Sequence, residues 1–349
     1  MTMIPQKKLT PVSALGEFGL IDRLTSQHKT SNVSSLKGVG DDAAVLHYPH
    51  NKILVATDLL VENVHFNLVY SPLKHLGYKS AIVNFSDIYA MNGHPKQITV
   101  GLAVSAKYSV EAIDEIYEGI YLACSRYGVD LVGGDTTSSA GGLFISVTVI
   151  GEAQDDKIVY RQGASEGDLL FVTGDLGAAY IGLLLLEREK AVYQKDPQMQ
   201  PDLEGFDYLL ERQLKPEARS DIIQLFKEHD ILPTAMIDIS DGLASEVLHI
   251  CKNSCLGCQV YEDKIPIDSL TASMAEEFKI LPAVAAMNGG EDYELLFTLK
   301  PSAYEKIKNL NIATPIGHMT DKKSGVQLVG KSGGVVPIIA QGWDGLKEE

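Results

Sequence analysis

Short hydrophobic runs alternate with longer amphipathic segments along the first 150 residues of the chain. The runs at 53–57, 97–104 and 143–150 have the length and β-branched content of strands. Between them, residues 73–91 and Val110–Tyr127 place apolar side chains three or four positions apart, which predicts helices with one buried face. Strands that alternate with long helices indicate a mixed α/β (α+β) fold.

The pattern changes near residue 152, where a polar segment with several glycines replaces the alternating runs. A chain of 349 residues commonly forms two domains, and we predict them at 1–152 and 153–349. Residues 189–216 are polar and interrupted by prolines, which predicts a surface excursion. The remaining segments predict helices at 177–188, 217–229, 242–253, 269–279 and 301–309, and strands at 169–173, 235–238, 258–262, 293–299 and 325–339.

Composition and charge exclude several classes of protein. With 30 Lys and Arg against 46 Asp and Glu, the net charge of −16 disfavours nucleic-acid binding, because such a surface repels phosphate backbones. No run approaches the ~20 apolar residues of a membrane span. The first residues lack the apolar core of a secretion signal, and four cysteines without such a signal favour a reduced, cytoplasmic setting.

Acidic residues follow apolar runs or stand beside glycines rather than forming charged runs. Six motifs share this placement: GVGDDAA (38–44), ATD (56–58), NFSD (84–87), LVGGDTT (131–137), IDISDGL (237–243) and GGEDYE (289–294). Each motif alone is also typical of an ordinary turn or helix cap. If they converge, two carboxylates ~4 Å apart repel by about 4 kcal/mol at an effective dielectric of ~20, so the cluster needs cations. Oxygen ligands without His or Cys suit Mg²⁺, which shares its coordination sphere with phosphates.

Other motifs are absent or weaker. The chain has no P-loop, no protein-kinase catalytic loop and no dinucleotide-binding glycine pattern. The spacing of Cys251, Cys255 and Cys258 is compatible with a zinc or iron–sulfur site, but no fourth ligand is nearby in sequence, and we interpret these cysteines as structural. His65 closely follows the 56–58 motif, so a structural role and a functional role are equally open for it.

In order and spacing, these motifs resemble the thiamine-monophosphate kinases of the aminoimidazole-ribonucleotide-synthetase-like superfamily. The resemblance covers nearly the whole chain: it begins at GEFGLI (16–21), continues through GVGDDAAVL, ATDLLVENVHF, NFSDIYAMNGHP, LVGGDTT, RQGASEGD, IDISDGL and GGEDYELLF, and ends at Gly342-Trp343.

The resemblance implies ATP-dependent phosphorylation of thiamine monophosphate to thiamine diphosphate, with several Mg²⁺ ions. It implies a homodimer built on N-terminal domains that bind metal and ATP, and a C-terminal α/β sandwich that completes the nucleotide and substrate site. By motif match it assigns metal ligands at Asp42, Thr57, Asp58, Asp87, Asp135, Asp238 and Asp241. It assigns ATP contacts at Tyr117, Gly134, Asp135, Arg161 and Ser240, and substrate contacts at His65, Glu291 and Trp343. The catalytic group would be Asp58, Asp87, Asp135 and Arg161.

The chemistry of the residues agrees with this reaction. A phosphate monoester with a second pKa near ~6 is already largely ionised, so it needs no strong general base. Catalysis then reduces to positioning and to charge neutralisation by metal ions and Arg161. Trp343, the single tryptophan, can offer a π-face to the cationic thiamine ring.

Two alternatives remain at this point. A selenophosphate synthetase or purine-pathway synthetase shares the acidic motifs, but a selenophosphate enzyme would carry a reactive cysteine near its start, whereas the first cysteine here is Cys124. A non-catalytic nucleotide or metal sensor on the same fold is the other alternative, and intact acidic motifs in both halves disfavour it.

Overall fold

The computed structural model describes residues 10, 14–15, 20, 23–27, 29–37 and 45–341. Asp42 and Trp343 therefore lie outside the described residues. The chain divides into two compact units, one made of Met1–Phe85 with Pro95–Glu152 and the other of Ser86–His94 with Ala153–Glu349. Both units combine helices with sheets, which confirms the mixed α/β prediction.

The first unit is built on a four-stranded sheet in the order β3-β6-β4-β5, with a small β1-β2 ribbon beside it. Its elements are β1 (Ser35–Lys37), β2 (Val45–Leu46), β3 (Lys52–Val61), α1 (Leu73–Ala90), β4 (His94–Val104), α2 (Val110–Tyr127), β5 (Asp130–Ser138) and β6 (Leu143–Ala153). The last residues of α1 and the turn after it group with the second unit. Strands β4 and β5 are parallel, with Val100 opposite Gly134.

Local sequence explains most of these elements. In β6, Ile145, Val147 and Val149 are fully buried and alternate with half-buried residues, so one face of the sheet is covered. Helix α2 begins where the Ser109 side chain accepts a hydrogen bond from the Ala112 N–H (3.2 Å), and it ends at a left-handed glycine. The helix predicted at Val110–Tyr127 is confirmed at both ends.

The second unit contains a seven-stranded sheet in the order β13-β12-β9-β11-β7-β10-β8. Its strands are β7 (Leu169–Thr173), β8 (Ala235–Asp238), β9 (Gly257–Tyr261), β10 (Leu295–Leu299), β11 (Ala313–Thr320), β12 (Val326–Val329) and β13 (Val335–Pro337). Its helices are α3 (Ala178–Lys195), α4 (Asp207–Leu214), α5 (Ser220–Glu228), α6 (Leu243–Ser254), α7 (Ser269–Glu277), α8 (Pro282–Asn288) and α9 (Tyr304–Ile307). Phe171 and Phe297 stack in its core with ring centroids 5.4 Å apart.

Of the surface excursion predicted at 189–216, residues 196–205 are nearly all exposed and lie between two helices, whereas the structure corrects the prediction at both ends of the segment. Helix α3 continues to Lys195, and α4 follows with Leu209 fully buried and Gln213 only 5% exposed. The polar composition of α4 concealed the helix in the sequence, because Arg212 and Gln213 form hydrogen bonds with acids of the same unit and do not face solvent fully. Strands β5 and β11 and helix α8 were also not predicted. In the described part of the chain, no helix is long and apolar enough to cross a membrane.

Candidate active site

The first acidic motif of the described chain lies in the middle of β3, an edge strand. Thr57 is exposed, and its hydroxyl contacts the Val147 carbonyl (3.1 Å) and the Thr148 hydroxyl (3.0 Å) on β6. Asp58 is half-buried, and its backbone N–H donates to the Asn84 side chain on α1 (3.1 Å). Burial raises the pKa of Asp58 above its usual range. Within the described chain no donor reaches its carboxylate, so the group is disposed to bind a cation.

The second motif lies on β5, at the opposite edge of the same sheet. Gly134 and Asp135 are both exposed, and no described residue donates to the Asp135 carboxylate. A Cβ atom at Gly134 would stand only 2.1 Å from the Val100 carbonyl oxygen, so β4 and β5 can pair here only if residue 134 is glycine. Two strands separate β3 from β5, so Asp58 and Asp135 lie on opposite edge strands, whose axes are roughly 14 Å apart when measured along the sheet. The structure does not bring these two predicted ligands to one point.

Three further predicted residues lie on other elements. His65 is half-buried in the turn after β3, where its Nδ1 accepts a hydrogen bond from the Val61 N–H (3.0 Å), so the neutral ring carries its proton on Nε2. Asp87 is half-buried on α1. Tyr117 lies on the buried face of α2, with its ring centroid 6.1 Å from that of Tyr121, and burial raises its pKa to about 12.

In the second unit, two acidic motifs that are 50 residues apart in sequence are joined by backbone hydrogen bonds. The Ile239 N–H donates to the Glu294 carbonyl (2.8 Å), and the Glu291 N–H donates to the Ser240 carbonyl (2.7 Å). A Cβ atom at Gly290 would come within 2.5 Å of that Ser240 oxygen, and the φ of Gly290 is +73°, so only glycine fits this approach. The structure therefore brings Asp238, Ser240, Asp241 and Glu291 into one loop pair.

Glu246 of α6 fixes the shape of the first of these loops. Its Oε1 accepts hydrogen bonds from the Asp241 N–H (2.8 Å) and the Ser240 N–H (3.2 Å). Burial, and secondarily the charges of Asp241 and Asp238, raise the pKa of Glu246 to about 7. Asp238 is itself buried and accepts a hydrogen bond from the Ser86 hydroxyl (2.6 Å). Glu246 was not identified from sequence, where it reads as an ordinary helix residue.

Arg161 lies beside this loop pair. Residue Tyr160 accepts a backbone hydrogen bond from Met236 of β8 (3.0 Å), which fixes the segment along the edge of the sheet, and Arg161 is exposed. Burial lowers the pKa of His249, Arg161 lowers it further, and Asp241 opposes the effect. Arg161 and Asp241 therefore both act on His249, and the exposed guanidinium is available to an anionic ligand at this edge.

A network of buried charges supports the second loop. Arg212 of α4 donates to Glu294 (2.9 Å) and lies 3.6 Å from Asp292, and Arg219 also donates to Glu294. Asp292 accepts a hydrogen bond from the Gly177 N–H (2.9 Å), and burial raises the pKa of Asp292 to about 7 against the charge of Arg212. Arg212, from the segment predicted as a surface excursion, and Arg219, from the helix predicted at 217–229, thus fix the GGEDYE loop.

Comparison with known proteins identifies the family. Residues 40–153 match the family described as AIR synthase related protein, N-terminal domain. The thiamine-monophosphate kinase of Bacillus subtilis (strain 168) is 38% identical over 318 residues, which are 88% of this chain and 92% of that protein. The chain belongs to the thiamine-monophosphate kinase family.

Solved structures of thiamine-monophosphate kinases support the same assignment. The enzyme from Stenotrophomonas maltophilia K279a superposes with a TM-score of 0.75 at 30% identity, over 90% of this chain and 96% of that chain. A structure described as AaThiL complexed with AMPPCP and TMP superposes with a TM-score of 0.71 at 31% identity, over 93% of this chain and 96% of that chain.

Three of the four cysteines lie near the end of α6, and two of them pack in the same hydrophobic core as the apolar residues of the IDISDGL motif. Cys251 and Cys258 are buried at the junction of α6 and β9, and Cys255 is exposed in a left-handed conformation at the end of α6. Among the residues that the structure describes, no group of three or more His, Cys, Asp or Glu side chains is arranged to hold a metal ion.

Proposed function

We propose that this protein transfers the γ-phosphoryl group of ATP to thiamine monophosphate and forms thiamine diphosphate. The observation that carries the proposal is the match, over 93% of the chain, to a relative solved with AMPPCP and TMP. We further expect the reaction to take place in the cytoplasm, where ATP is available.

The oxygen chemistry of the predicted ligands suits magnesium, although the described side chains are not grouped around one point. The Asp58 carboxylate is partly desolvated and has no donor in the described chain, and the predicted ligands are all oxygen atoms, which Mg²⁺ prefers. Bound Mg²⁺ would neutralise phosphate charge. The residues proposed to hold it are Asp42, Thr57, Asp58, Asp87, Asp135, Asp238 and Asp241. Asp58 and Asp135 lie on opposite edge strands of one sheet, which favours separate ions for the two residues within one chain.

The chain's own residues would bind and orient the two substrates. In the second unit, Arg161 supplies an exposed cation for the ATP phosphates, and the Ser240 hydroxyl is a second proposed ATP contact. In the first unit, the proposed ATP contacts are Tyr117 and the exposed backbone at Gly134. His65, Glu291 and Trp343 would contact the acceptor. Its phosphate is already ionised near neutral pH, so these residues need to hold it in line and do not need to remove a proton.

A homodimer is supported by the open face of β3. Ile53, Val55 and Leu59 alternate along this strand, point to one side of the sheet and are 53%, 65% and 53% exposed. A row of exposed apolar side chains on an edge strand is typical of an interface. We expect Val55→Glu to shift the sedimentation coefficient from that of a dimer to that of a monomer.

An assay of ATP consumption with separate acceptors tests the activity. Thiamine monophosphate should be phosphorylated, whereas thiamine, selenide and purine-pathway acceptors should leave ATP consumption at background. The Asp135→Asn variant serves as a control for contaminating kinases, and product should be identified as thiamine diphosphate. Preference for selenide or a purine precursor would assign the chain to a sister synthetase, and nucleotide binding without turnover would indicate a sensor.

A further inference from the structure

Gln213 connects helix α4 to the proposed substrate residue Glu291. Its side-chain Nε2 donates a hydrogen bond to Glu291 Oε2 over 2.8 Å. Gln213 is 5% exposed, and Glu291 is half-buried, so the contact is shielded from water on the side of the helix. The two residues are 78 positions apart in sequence, and only the packing of α4 brings them together.

The backbone of Glu291 is already fixed on both sides of this contact. Its φ is +59°, a left-handed conformation that a glutamate adopts only under constraint. Its N–H donates to the Ser240 carbonyl (2.7 Å), and the N–H of Tyr293 donates to Ile239 (2.9 Å). The orientation of the Glu291 carboxylate therefore depends on its side-chain torsions, and the hydrogen bond from Gln213 restricts them.

The chemistry of the donor differs from that at the neighbouring carboxylates. Asp292 and Glu294 face the guanidinium of Arg212, which offsets their negative charge. Gln213 holds Glu291 through a neutral amide, which fixes a carboxylate without contributing a positive charge of its own. A neutral amide therefore orients the Glu291 carboxylate without weakening the attraction of that carboxylate for a cationic or hydrogen-bond-donating ligand.

We propose that Gln213 is a positioning residue that orients Glu291 toward the cationic, hydrogen-bond-donating part of the acceptor substrate. The inference rests on the proposed function, in which Glu291 contacts the thiamine moiety. Gln213 acts through Glu291 and does not contact ATP, so its loss should weaken binding of the acceptor selectively. The neutral amide distinguishes this contact from the arginine pairs, which hold the loop itself.

Steady-state kinetics with each substrate varied separately test the proposal. Gln213→Leu keeps most of the side-chain volume and removes the donor. We expect the KM for thiamine monophosphate to rise roughly 5- to 10-fold, the value of one hydrogen bond to a charged group, with kcat and the KM for ATP changed by less than about 2-fold. Gln259→Leu is the matched control, because Gln259 makes an amide hydrogen bond to Gln327 (3.3 Å) elsewhere in the same unit. Its KM values should remain those of the wild type.

A double-mutant cycle separates this inference from the proposed role of Glu291. Glu291→Gln keeps an acceptor for Gln213 but removes the charge, and it should raise the KM for thiamine monophosphate. Adding Gln213→Leu to it should cause no further rise, because the charged group that Gln213 orients is already gone. If Glu291→Gln leaves this KM unchanged, the substrate role of Glu291 is wrong. If Glu291→Gln raises it and Gln213→Leu does not, Gln213 is not a positioning residue.

Thermal unfolding of each variant provides the structural readout. Equal losses for both substrates together with a lowered Tm would assign Gln213 a structural role and overturn the inference. If Gln213→Leu does not fold, Gln213→Asn replaces it, because the shorter amide stays polar but cannot reach Glu291. This variant should give the same selective rise in the KM for thiamine monophosphate, and a wild-type KM would overturn the inference.

Discussion

The carboxylates of the two units differ in what surrounds them. In the first unit, Asp58 and Asp135 receive no hydrogen bond from any described residue, although burial raises the pKa of Asp58. In the second unit, Glu294 is bound by Arg212, Arg219 and the Thr173 hydroxyl. A carboxylate that is paired with an arginine of the protein has a structural role. A carboxylate without such a cation among the described residues remains available to a metal ion or a substrate.

A single strand shows the same contrast. Asp130 at the start of β5 accepts hydrogen bonds from the Ser31 and Asn32 backbones (2.7 and 2.8 Å) and from the Ser35 hydroxyl (2.7 Å). Asp135, five residues later on this strand, is exposed without such donors. Residue type and strand position are therefore insufficient to assign a functional acid, and the number of protein donors around it is the better criterion.

The largest effect is expected for the acids without donors. Asp58→Asn should reduce turnover by roughly 10²- to 10³-fold, the usual cost of removing one group that stabilises charge at a transition state. Its Tm should stay within a few degrees of wild type, because no hydrogen bond from a described residue to the carboxylate is lost. Measuring kcat across a Mg²⁺ titration checks this, and near-normal turnover at low Mg²⁺ would contradict the metal assignment.

Replacing an acid in the buried network around Glu294 should mainly lower stability, which is the reverse of the effect expected for Asp58→Asn. Glu294→Gln leaves two arginines facing a neutral amide, and breaking a buried ion pair in this way costs about 3–5 kcal/mol of unfolding free energy. Urea unfolding measures the loss. Glu277→Gln is the control, since its pair with Arg188 is exposed and should contribute less than about 1 kcal/mol. Equal losses in the two variants would refute the distinction between the regions.

Asp130 should give a smaller, pH-dependent effect on stability. Burial opposes its ionisation, but hydrogen bonds from Ser35, Ser31 and Asn32 outweigh it and hold the pKa below its ordinary value. A lowered pKa in the folded state stabilises the protein above the unfolded value of ~3.9, and this stabilisation is lost as pH falls through the folded pKa. Asp130→Asn should cost about 1–2 kcal/mol at pH 7. The deficit, followed by thermal unfolding, should shrink below about pH 4, while kcat at pH 7 stays normal.

The smallest effect is expected at the cysteines, because they belong neither to the acids without donors nor to the buried network of charges. A variant with serine at 251, 255 and 258 should retain activity and lose about 1–2 kcal/mol, because two of the three thiols are buried. Metal analysis of the purified protein accompanies the kinetics. Stoichiometric zinc or iron that disappears in the variant would replace the structural interpretation with a metal site.

The sequence by itself determined two things. It determined the helices and strands whose apolar positions follow a regular local period, and it determined the family to which the chain belongs. Helix Val110–Tyr127 could be predicted at both ends because its apolar period, its Ser109 cap and its terminal glycine are all encoded within twenty residues. The family could be recognised because its acidic motifs keep their order and spacing over nearly the whole chain.

Tertiary structure alone decided which polar residues are buried and what each acid contacts. Strand β5 contains two glycines and several polar residues, so its own propensity is weak, and pairing with β4 defines it. Helix α4 looked like surface because Arg212 and Gln213 are polar, yet they bind Glu294 and Glu291 across 82 and 78 positions. The periodicity of a segment gives no information about such partners. The side chains that form these hydrogen bonds and ion pairs come into contact only after both segments have packed.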